Sequence, residues 1–268
     1  MNLVEFFGLV VKPKIVKGKG LLCPIETSKI LENLYAIRDK DVNVFLLKSR
    51  HGYIAIDCGY KNSENMQKGL KQLGILPTEI HSILLTHLDL DHAGGIDKRC
   101  RQIFPKAKIY LSEEEEKYLT KTYFRKKILS IGLSSPIQLE KEYIAFKEDS
   151  FLVIDDLQVK TIFSPGHTLG HTSYLIEGNL FTGDTLVLGE DGGYCFYDFW
   201  NIDTKANIKS LEKLYKFAKK ENVKRVITSH TGYSDDIDFA FLNYKTNVNW
   251  RKKGFVFRKD APYDVYNN

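Results

Sequence analysis

Four side chains that can bind a metal ion lie within six residues of one another, at His87, Asp89, Asp91 and His92. They follow the apolar run 83–86, which is typical of a buried strand, and two glycines come soon after them. Because alternate residues of an extended chain share a face, His87, Asp89 and Asp91 can converge while His92 faces a second centre. Imidazole and carboxylate together suit zinc, iron or manganese, and two adjacent ions can share a hydroxide.

Three later parts of the chain repeat this arrangement. Each is a predicted strand followed by small or turn residues and then a potential ligand, and they end at His167, Asp184 and His230. Loops at strand ends are where a rigid scaffold presents reactive side chains. A polar turn with incidental histidines would explain the first cluster alone, but it does not explain four such segments. The pattern therefore favours a metal site.

The order of these motifs resembles that of the metallo-β-lactamase superfamily. The motifs are H-x-[H/D]-x-D-H, P-G-H-T-x-G-H, T-G-D-T and S-H, and an early D-x-G turn at Asp57 matches as well. The resemblance covers roughly residues 43–232. It implies an α/β fold, a four-layer αββα sandwich of two mixed β-sheets flanked by helices. It also implies a dinuclear metal site along one edge of the two sheets.

The resemblance further implies a role for each candidate site residue. Seven side chains would act as ligands: for the first ion His87, Asp89 and His167, for the second Asp91, His92 and His230, and as a bridge Asp184. Two more, Asp57 and His171, would support the ligands through hydrogen bonds without touching a metal ion.

Asp89 departs from the common pattern, because most members of the family carry His there. A carboxylate adds negative charge and a harder oxygen ligand, which shifts preference from zinc toward iron or manganese. The diiron oxygen-reducing relatives carry Glu at the matching place, but Asp is one methylene shorter. Direct ligation, ligation through water and a supporting role all stay open for Asp89. The prediction is two divalent ions, with zinc favoured and iron or manganese as alternatives.

The expected chemistry is hydrolysis of a small carbonyl substrate, namely a lactone, ester or thioester. A hydroxide held between two cations is a nucleophile at neutral pH, and Asp91 is placed to orient it and pass its proton to the leaving group. The layout is similar to that of N-acyl-homoserine lactonases and hydroxyacylglutathione hydrolases. The alternatives are a phosphodiesterase, a diiron oxygen-reducing member and a ligand-sensing member without turnover.

Two stretches fit the common core poorly, and we expect substrate choice to lie in them. The first is an insertion at 121–146, which contains Tyr123, and the second is the aromatic loop 189–200. Tyr194 or Tyr197 would donate a hydrogen bond to the developing oxyanion, while Tyr197, Phe196 and Tyr123 would line the substrate pocket. Packing of these aromatic residues beneath a loop is the competing interpretation.

Composition is that of one globular domain of 268 residues, with 43% hydrophobic and 27% charged residues. We expect a core at about 43–232, an N-terminal extension at 1–42, and a C-terminal helix and basic arm at 233–268. The net charge of +5 is too mild to indicate a nucleic-acid partner. Neither an apolar run of ~20 residues nor a secretion signal is evident, so the expected location is cytoplasmic, with no membrane partner. A homodimer is one state that the sequence allows.

Local signals predict several elements that would position the site. Strands are expected at 44–47 and 53–56, and helices at 65–73 and 205–220. Ser112, followed by four glutamates, predicts a helix start, since acidic residues stabilise the positive end of the helix dipole. The four cysteines are widely spaced without a C-x-x-C pair, which is typical of reduced thiols.

Overall fold

The computed structural model describes residues 6, 11–12, 22–128, 131–133, 135, 137–140 and 142–247. The predicted basic arm beyond residue 250 and most of the chain before residue 22 lie outside these residues. The described strands, in chain order, are β1 (Ser28–Lys29), β2 (Leu34–Asp39), β3 (Val42–Ser49), β4 (Gly52–Ile56), β5 (Ile80–Leu84), β6 (Lys108–Ser112), β7 (Lys126–Ile128), β8 (Ile131–Leu133), β9 (Tyr143–Phe146), β10 (Phe151–Ile154), β11 (Leu157–Phe163), β12 (Thr172–Ile176), β13 (Asn179–Phe181), β14 (Leu186–Gly189), β15 (Gly192–Cys195), β16 (Arg225–Thr228), β17 (Gly232–Ser234) and β18 (Asn243–Asn247). The described α-helices are α1 (Glu64–Leu73), α2 (Leu90–Ala93), α3 (Glu113–Leu119), α4 (Thr204–Lys220) and α5 (Ile237–Ala240).

Two large mixed sheets organise these elements. The first has the order β1-β2-β3-β4-β5-β6-β9, and its pairs β4–β5, β5–β6 and β6–β9 are parallel. The second has the order β10-β11-β12-β13-β16-β17, in which β13 and β16 are parallel. Parallel neighbours direct their carboxyl ends toward the same edge of a sheet, and that is where the loops with the candidate ligands begin.

Apolar residues on the facing sides of the two sheets form the central core. Phe45 of β3 and Phe181 of β13 meet across it, with ring centroids 5.6 Å apart. On the outer face of the first sheet, Met66 and Leu70 of α1 are buried against the sheet. On the outer face of the second, α4 buries its own apolar side chains, including Leu211. The layers are therefore helix, sheet, sheet, helix, and the predicted αββα sandwich is confirmed.

The ends of α1 follow from local chemistry. The hydroxyl of Ser63 accepts a hydrogen bond from the backbone N–H of Met66 at 3.3 Å and caps the first turn. Gly74 ends the helix with φ of +70°, a left-handed conformation that glycine adopts without a Cβ penalty. The predicted helix and its glycine stop are both confirmed.

Two predicted boundaries differ from the observed sheets. Strand β2 pairs with β3 and lies in the first sheet, although the sequence placed the start of the core near residue 43. Strand β9, in the predicted insertion, pairs in parallel with β6 and extends the same sheet. Short strands of this kind carry too little pattern to be recognised, because their place in the sheet depends on the neighbouring strands.

The predicted aromatic loop at 189–200 is in part a hairpin. Strands β14 and β15 pair antiparallel, and β18 joins them to form a small third sheet. The predicted C-terminal helix is the single turn α5, which leads into β18. The four cysteines form no disulfide with one another, as expected. Among the described residues, no helix has the length and apolar character needed to cross a bilayer.

Candidate metal centre

Loops at the ends of β5, β11, β13 and β16 bring the seven candidate ligands together. His87 follows β5 by three residues, and Asp89 is the residue that precedes α2. Helix α2 then places Asp91 and His92 in a single turn, so that both side chains reach the same space from a rigid element. The remaining three ligands come from separate loops, at His167, Asp184 and His230.

Asp184 lies at the centre of the cluster. Its Oδ1 is 3.3 Å from Nε2 of His92, and its Oδ2 is 3.3 Å from Nε2 of His230. The same Oδ2 is 3.5 Å from Nε2 of His167 and 4.0 Å from Nε2 of His87. One carboxylate therefore faces four imidazoles, which is the placement that a bridging ligand requires.

Three overlapping groups of the cluster have ligand atoms within 4.8 Å of one another: His87/Asp89/His167, Asp91/His92/His230, and His87/His92/Asp184. In the last group, Nε2 of both histidines and Oδ1 of the carboxylate are buried without a hydrogen-bond partner. A buried polar atom without a partner costs about 1–3 kcal/mol, so an ion that such atoms could bind would remove a real penalty. The residues present therefore fit divalent metal ions.

Hydrogen bonds outside the cluster fix the orientation of the imidazoles. Asp57 accepts from Nδ1 of His92 at 2.8 Å and from the backbone N–H of Thr86, also at 2.8 Å. The backbone carbonyl of Asp41 pairs with Nδ1 of His230. A proton held on Nδ1 leaves the lone pair of Nε2 directed at the cluster.

His171 uses both ring nitrogens within the protein. Its Nε2 accepts from the backbone N–H of Asp184 at 3.1 Å, and its Nδ1 pairs with the hydroxyl of Ser164 at 3.0 Å. The side chain thus positions the loop that carries Asp184. A supporting place of this kind was predicted for His171 and for Asp57.

The charges of the cluster favour ionised carboxylates. Burial alone would raise the pKa of Asp184, but His230 and His92 lower it well below its usual range. Burial would likewise raise the pKa of Asp91, and Lys12, His92 and His230 lower it. Both groups therefore stay in the form that binds a cation.

Glu115 of α3 supports the cluster through hydrogen bonds, a role that the sequence did not predict. Its carboxylate accepts from the backbone N–H of Leu88 at 2.8 Å and from the hydroxyl of Thr168 at 2.7 Å. It thereby ties together the two loops that supply the first ligand group. Helical spacing could have indicated that Glu115 is buried, because it lies three residues before the apolar Tyr118 and shares the inward face of the helix.

Two basic side chains also enter the cluster. The guanidinium of Arg125 binds both oxygens of Asp89, with Nε–Oδ1 and Nη2–Oδ2 distances of 2.8 Å. The ammonium of Lys12 lies 2.5 Å from Oδ2 of Asp91 and 2.9 Å from Oδ2 of Asp41. Neither contact was predicted, because both residues are distant in sequence from their partners and lie outside any regular motif.

The predicted substrate-binding aromatic residues occupy different surroundings. Phe196 packs edge-on against His167, with centroids 4.7 Å apart, and Tyr197 is buried against Phe196 and Trp200. The hydroxyl of Tyr194 donates to Asp191 at 2.6 Å, at the exposed tip of the β14–β15 hairpin. The Tyr194 hydroxyl, which was expected to donate to the oxyanion, therefore donates to Asp191 instead.

Tyr123, the other predicted pocket residue, lies just beyond α3. Its hydroxyl donates to Glu114 at 2.7 Å, and its ring packs edge-on against Tyr118. The segment that carries Tyr123 instead brings Arg125 to the ligands. Of the four aromatic residues singled out, Phe196 packs against two candidate ligands, His167 and His230.

The family model of the metallo-beta-lactamase superfamily matches residues 37–230, which contain all seven candidate ligands. The chain belongs to the metallo-β-lactamase superfamily. The match begins at Ile37, within strand β2 of the first sheet.

Curated relatives within this superfamily are hydrolases by name. The N-acyl homoserine lactonase AttM of Rhizobium johnstonii is 29% identical over 177 residues, which are 60% of this chain and 62% of that protein. The hydroxyacylglutathione hydrolase of Buchnera aphidicola is 31% identical over 185 residues, 69% of this chain and again 62% of that protein. The match to the AttM of Azorhizobium caulinodans, at 28% identity, covers 81% of this chain and 91% of that one. The chain thus spans about three fifths of the first two relatives.

Solved structures of metallo-β-lactamases share the fold. A B3 metallo-beta-lactamase described as having an active site glutamic acid is 20% identical, with a TM-score of 0.59 over 82% of this chain and 86% of that one. A metallo-beta-lactamase family protein from Thermus thermophilus is 18% identical, with a TM-score of 0.58 over 80% of this chain and 78% of that one. At these identities the comparison establishes the fold alone.

Proposed function

We propose that this chain is a metal-dependent hydrolase that cleaves a lactone, ester or thioester bond in a small molecule. The observation that carries the proposal is the group of buried, unpartnered ligand atoms on His87, His92 and Asp184. Two kinds of relative, lactonases and hydroxyacylglutathione hydrolases, support a carbonyl substrate. Divalent ions bound there would lower the pKa of water to near neutrality and polarise the carbonyl oxygen under attack.

Asp91 is the side chain that we assign to proton transfer. Its carboxylate is ionised, lies on the first turn of α2, and is 3.5 Å from Nε2 of His230. An ionised carboxylate at this place accepts a proton from the attacking water and delivers it to the leaving group. Lys12 neutralises part of the charge of Asp91 and would hold it in one orientation.

Substrate would approach from the side of Asp89. Its side chain is 21% exposed, whereas the other six candidate ligands are 10% exposed or less. Phe196 forms a wall beside His167 with Trp200 behind it. An apolar wall beside a few converging polar groups is typical of a small-molecule site, and it would suit the acyl part of a substrate.

The test uses the full chain, stripped of metal and reloaded separately with zinc, iron or manganese. Hydrolysis is measured on an N-acyl homoserine lactone, S-lactoylglutathione and bis-nitrophenyl phosphate. Asp184→Asn should lower kcat/KM by about 100-fold or more, because it replaces a ligand carboxylate with an uncharged amide. The matched control is Asp238→Asn, which changes an exposed carboxylate on α5 that pairs with Lys219.

The outcomes separate the alternatives. Metal-dependent cleavage of the lactone or the thioester supports the proposal. Cleavage confined to the phosphodiester would instead make the chain a phosphodiesterase. A fully metal-loaded protein that cleaves none of the three would contradict hydrolysis and direct attention to oxygen reduction or ligand sensing.

A further inference from the structure

Arg125 contacts two of the three side chains in the first ligand group. Its Nε and Nη2 each lie 2.8 Å from an oxygen of Asp89, and its Nη2 is also 3.0 Å from Nε2 of His167. Oδ2 of Asp89 also lies 3.6 Å from Nε2 of His87 and 3.1 Å from Nε2 of His167, so the guanidinium contacts atoms that face the rest of the ligand group. A guanidinium that donates to the lone pair of Nε2 leaves that lone pair unable to bind a metal ion at the same time.

The guanidinium is held firmly in this place. Its Nη1 donates to the backbone carbonyl of His167 at 2.8 Å, and its Nη2 lies 2.9 Å from the carbonyl of Trp200. The side chain is only 10% exposed. Because arginine remains protonated in proteins and presents a rigid fork of donors, this positive charge stays beside Asp89 at every ordinary pH.

In the described part of the chain, the second ligand group, Asp91/His92/His230, is contacted by a lysine and not by an arginine. Lys12 contacts one of its members, Asp91, and shares its ammonium with Asp41. Nε2 of His92 has no hydrogen-bond partner. A lysine is also a point charge on a flexible stem, so it can withdraw from an incoming ion more readily than a buried guanidinium fork.

We propose that Arg125 competes with a divalent metal ion for the first ligand group, so that the two metal positions differ in affinity. The group Asp91/His92/His230 then binds the first equivalent, together with Asp184. The group His87/Asp89/His167 fills only when the guanidinium moves away from Asp89.

The experiment is a zinc titration of metal-free protein by calorimetry, with the bound metal counted by mass spectrometry. In the natural chain we expect one tight equivalent and a second that binds at least about tenfold more weakly. Arg125→Met should tighten the weaker equivalent by about tenfold or more, since it removes the competing charge and keeps similar volume. Arg125→Lys should fall between the two, because it retains the charge and loses the fork.

The matched control is Arg225→Met. Arg225 makes the same two-point contact with Asp235, with a 2.8 Å Nη2–Oδ2 distance, and its side chain is 12% exposed. Its loss should leave both zinc affinities unchanged. Thermal unfolding of each variant shows whether it is folded.

Two results would overturn the proposal. One is a natural chain whose two equivalents bind with equal affinity, and this measurement needs no variant. The other is a folded Arg125→Met protein with unchanged affinities. Both measurements are independent of turnover. Unequal zinc affinities without hydrolysis would therefore refute only the proposed function. Hydrolysis by a protein with two equal zinc affinities would refute only the competition between Arg125 and the metal ion.

Discussion

At the scale of single residues, Glu115 shows how a buried carboxylate can support a metal centre without belonging to it. Its two oxygens join the loop after β5 to the loop after β11 through Leu88 and Thr168. Burial raises the pKa of Glu115 to about 7 from its ordinary value of 4.5, although His87 and these hydrogen bonds lower it. Glu115 should therefore contribute to the pH dependence of stability in the metal-free protein.

The first prediction concerns this pH dependence. Because the folded-state pKa of Glu115 is raised, its stabilising contribution is complete below about pH 4.5 and is lost as the pH rises through about 7. Between pH 5 and pH 8 this loss lowers the free energy of unfolding by about 2–3 kcal/mol. Glu115→Gln cannot ionise, so its stability should fall by that much less over the same range, as measured by urea unfolding without metal.

Glu113→Gln serves as the control, because Glu113 is an exposed neighbour on the same helix. The free energy of unfolding of Glu113→Gln should change between the two pH values as much as that of the natural chain. Equal pH dependence of the natural chain and the Glu115→Gln variant would show that this carboxyl does not titrate in that range.

The residue scale also shows which site residues can be predicted from sequence. His87, His167 and His230 each follow an apolar strand and a short turn, so the local pattern locates them. Arg125 and Lys12 reach the cluster from segments without such a pattern, 36 residues from Asp89 and 79 residues from Asp91. Their contacts depend on the tertiary fold, which no spacing rule encodes.

At the scale of elements, α3 and the loop from β11 to β12 lie in very close contact. A Cβ added at Gly170 would lie 2.1 Å from the backbone nitrogen of Glu115. The hydroxyl of Ser112, which caps α3, also donates to the carbonyl of Gly170 at 2.8 Å. The second glycine of P-G-H-T-x-G-H is thus explained by the approach of a helix and not by metal binding.

The second prediction tests this contact. Gly170→Ala should lower the free energy of unfolding by about 1–3 kcal/mol, since backbone atoms of α3 must move to admit the methyl group. Gly74→Ala is the comparison, because its Cβ would meet nothing within 4 Å and only its left-handed φ is strained, at a cost of about 1 kcal/mol. Chemical denaturation measures both, and a Gly170→Ala cost at or below that of Gly74→Ala would contradict the close approach.

Elements with strong local signals were the ones predicted correctly. The glycine stop at Gly74 and the serine cap at Ser112 each reflect a backbone hydrogen bond within a few residues. Strands β2 and β9 have no such local signal, because the neighbouring strands determine their place in the sheet. A helix cap depends on residues a few positions apart, whereas the place of a strand in a sheet depends on partners that are distant in sequence.

At the scale of the whole molecule, the facing sides of the two sheets must stay packed for the ligand loops to meet. Phe181 is 1% exposed in this core and ends β13, three residues before Asp184. Its ring contacts that of Phe45 from the opposite sheet. Packing in the centre is therefore linked to the position of the central carboxylate.

The third prediction follows from that link. Phe181→Ala should destabilise the chain by about 3–5 kcal/mol through the cavity that it leaves. It should also weaken zinc binding, because the loop that carries Asp184 loses its support. Phe151→Ala removes the same group from an edge strand where it is 54% exposed, and should cost less than about 1 kcal/mol. Chemical unfolding and zinc titration of both variants measure the two effects. A folded Phe181→Ala protein with unaltered zinc affinity would show that packing at Phe181 does not support the position of Asp184.

The two-point contact between Arg125 and Asp89 also constrains how this protein can change over generations. A histidine at position 89, which the sequence resemblance implies for most relatives, would leave the guanidinium of Arg125 among uncharged partners in a buried place, at a cost of several kcal/mol. Replacing Arg125 first would leave the carboxylate of Asp89 without its counterion. Neither single step is neutral, so divergence between this chain and its relatives at these two positions is expected to proceed by paired substitutions.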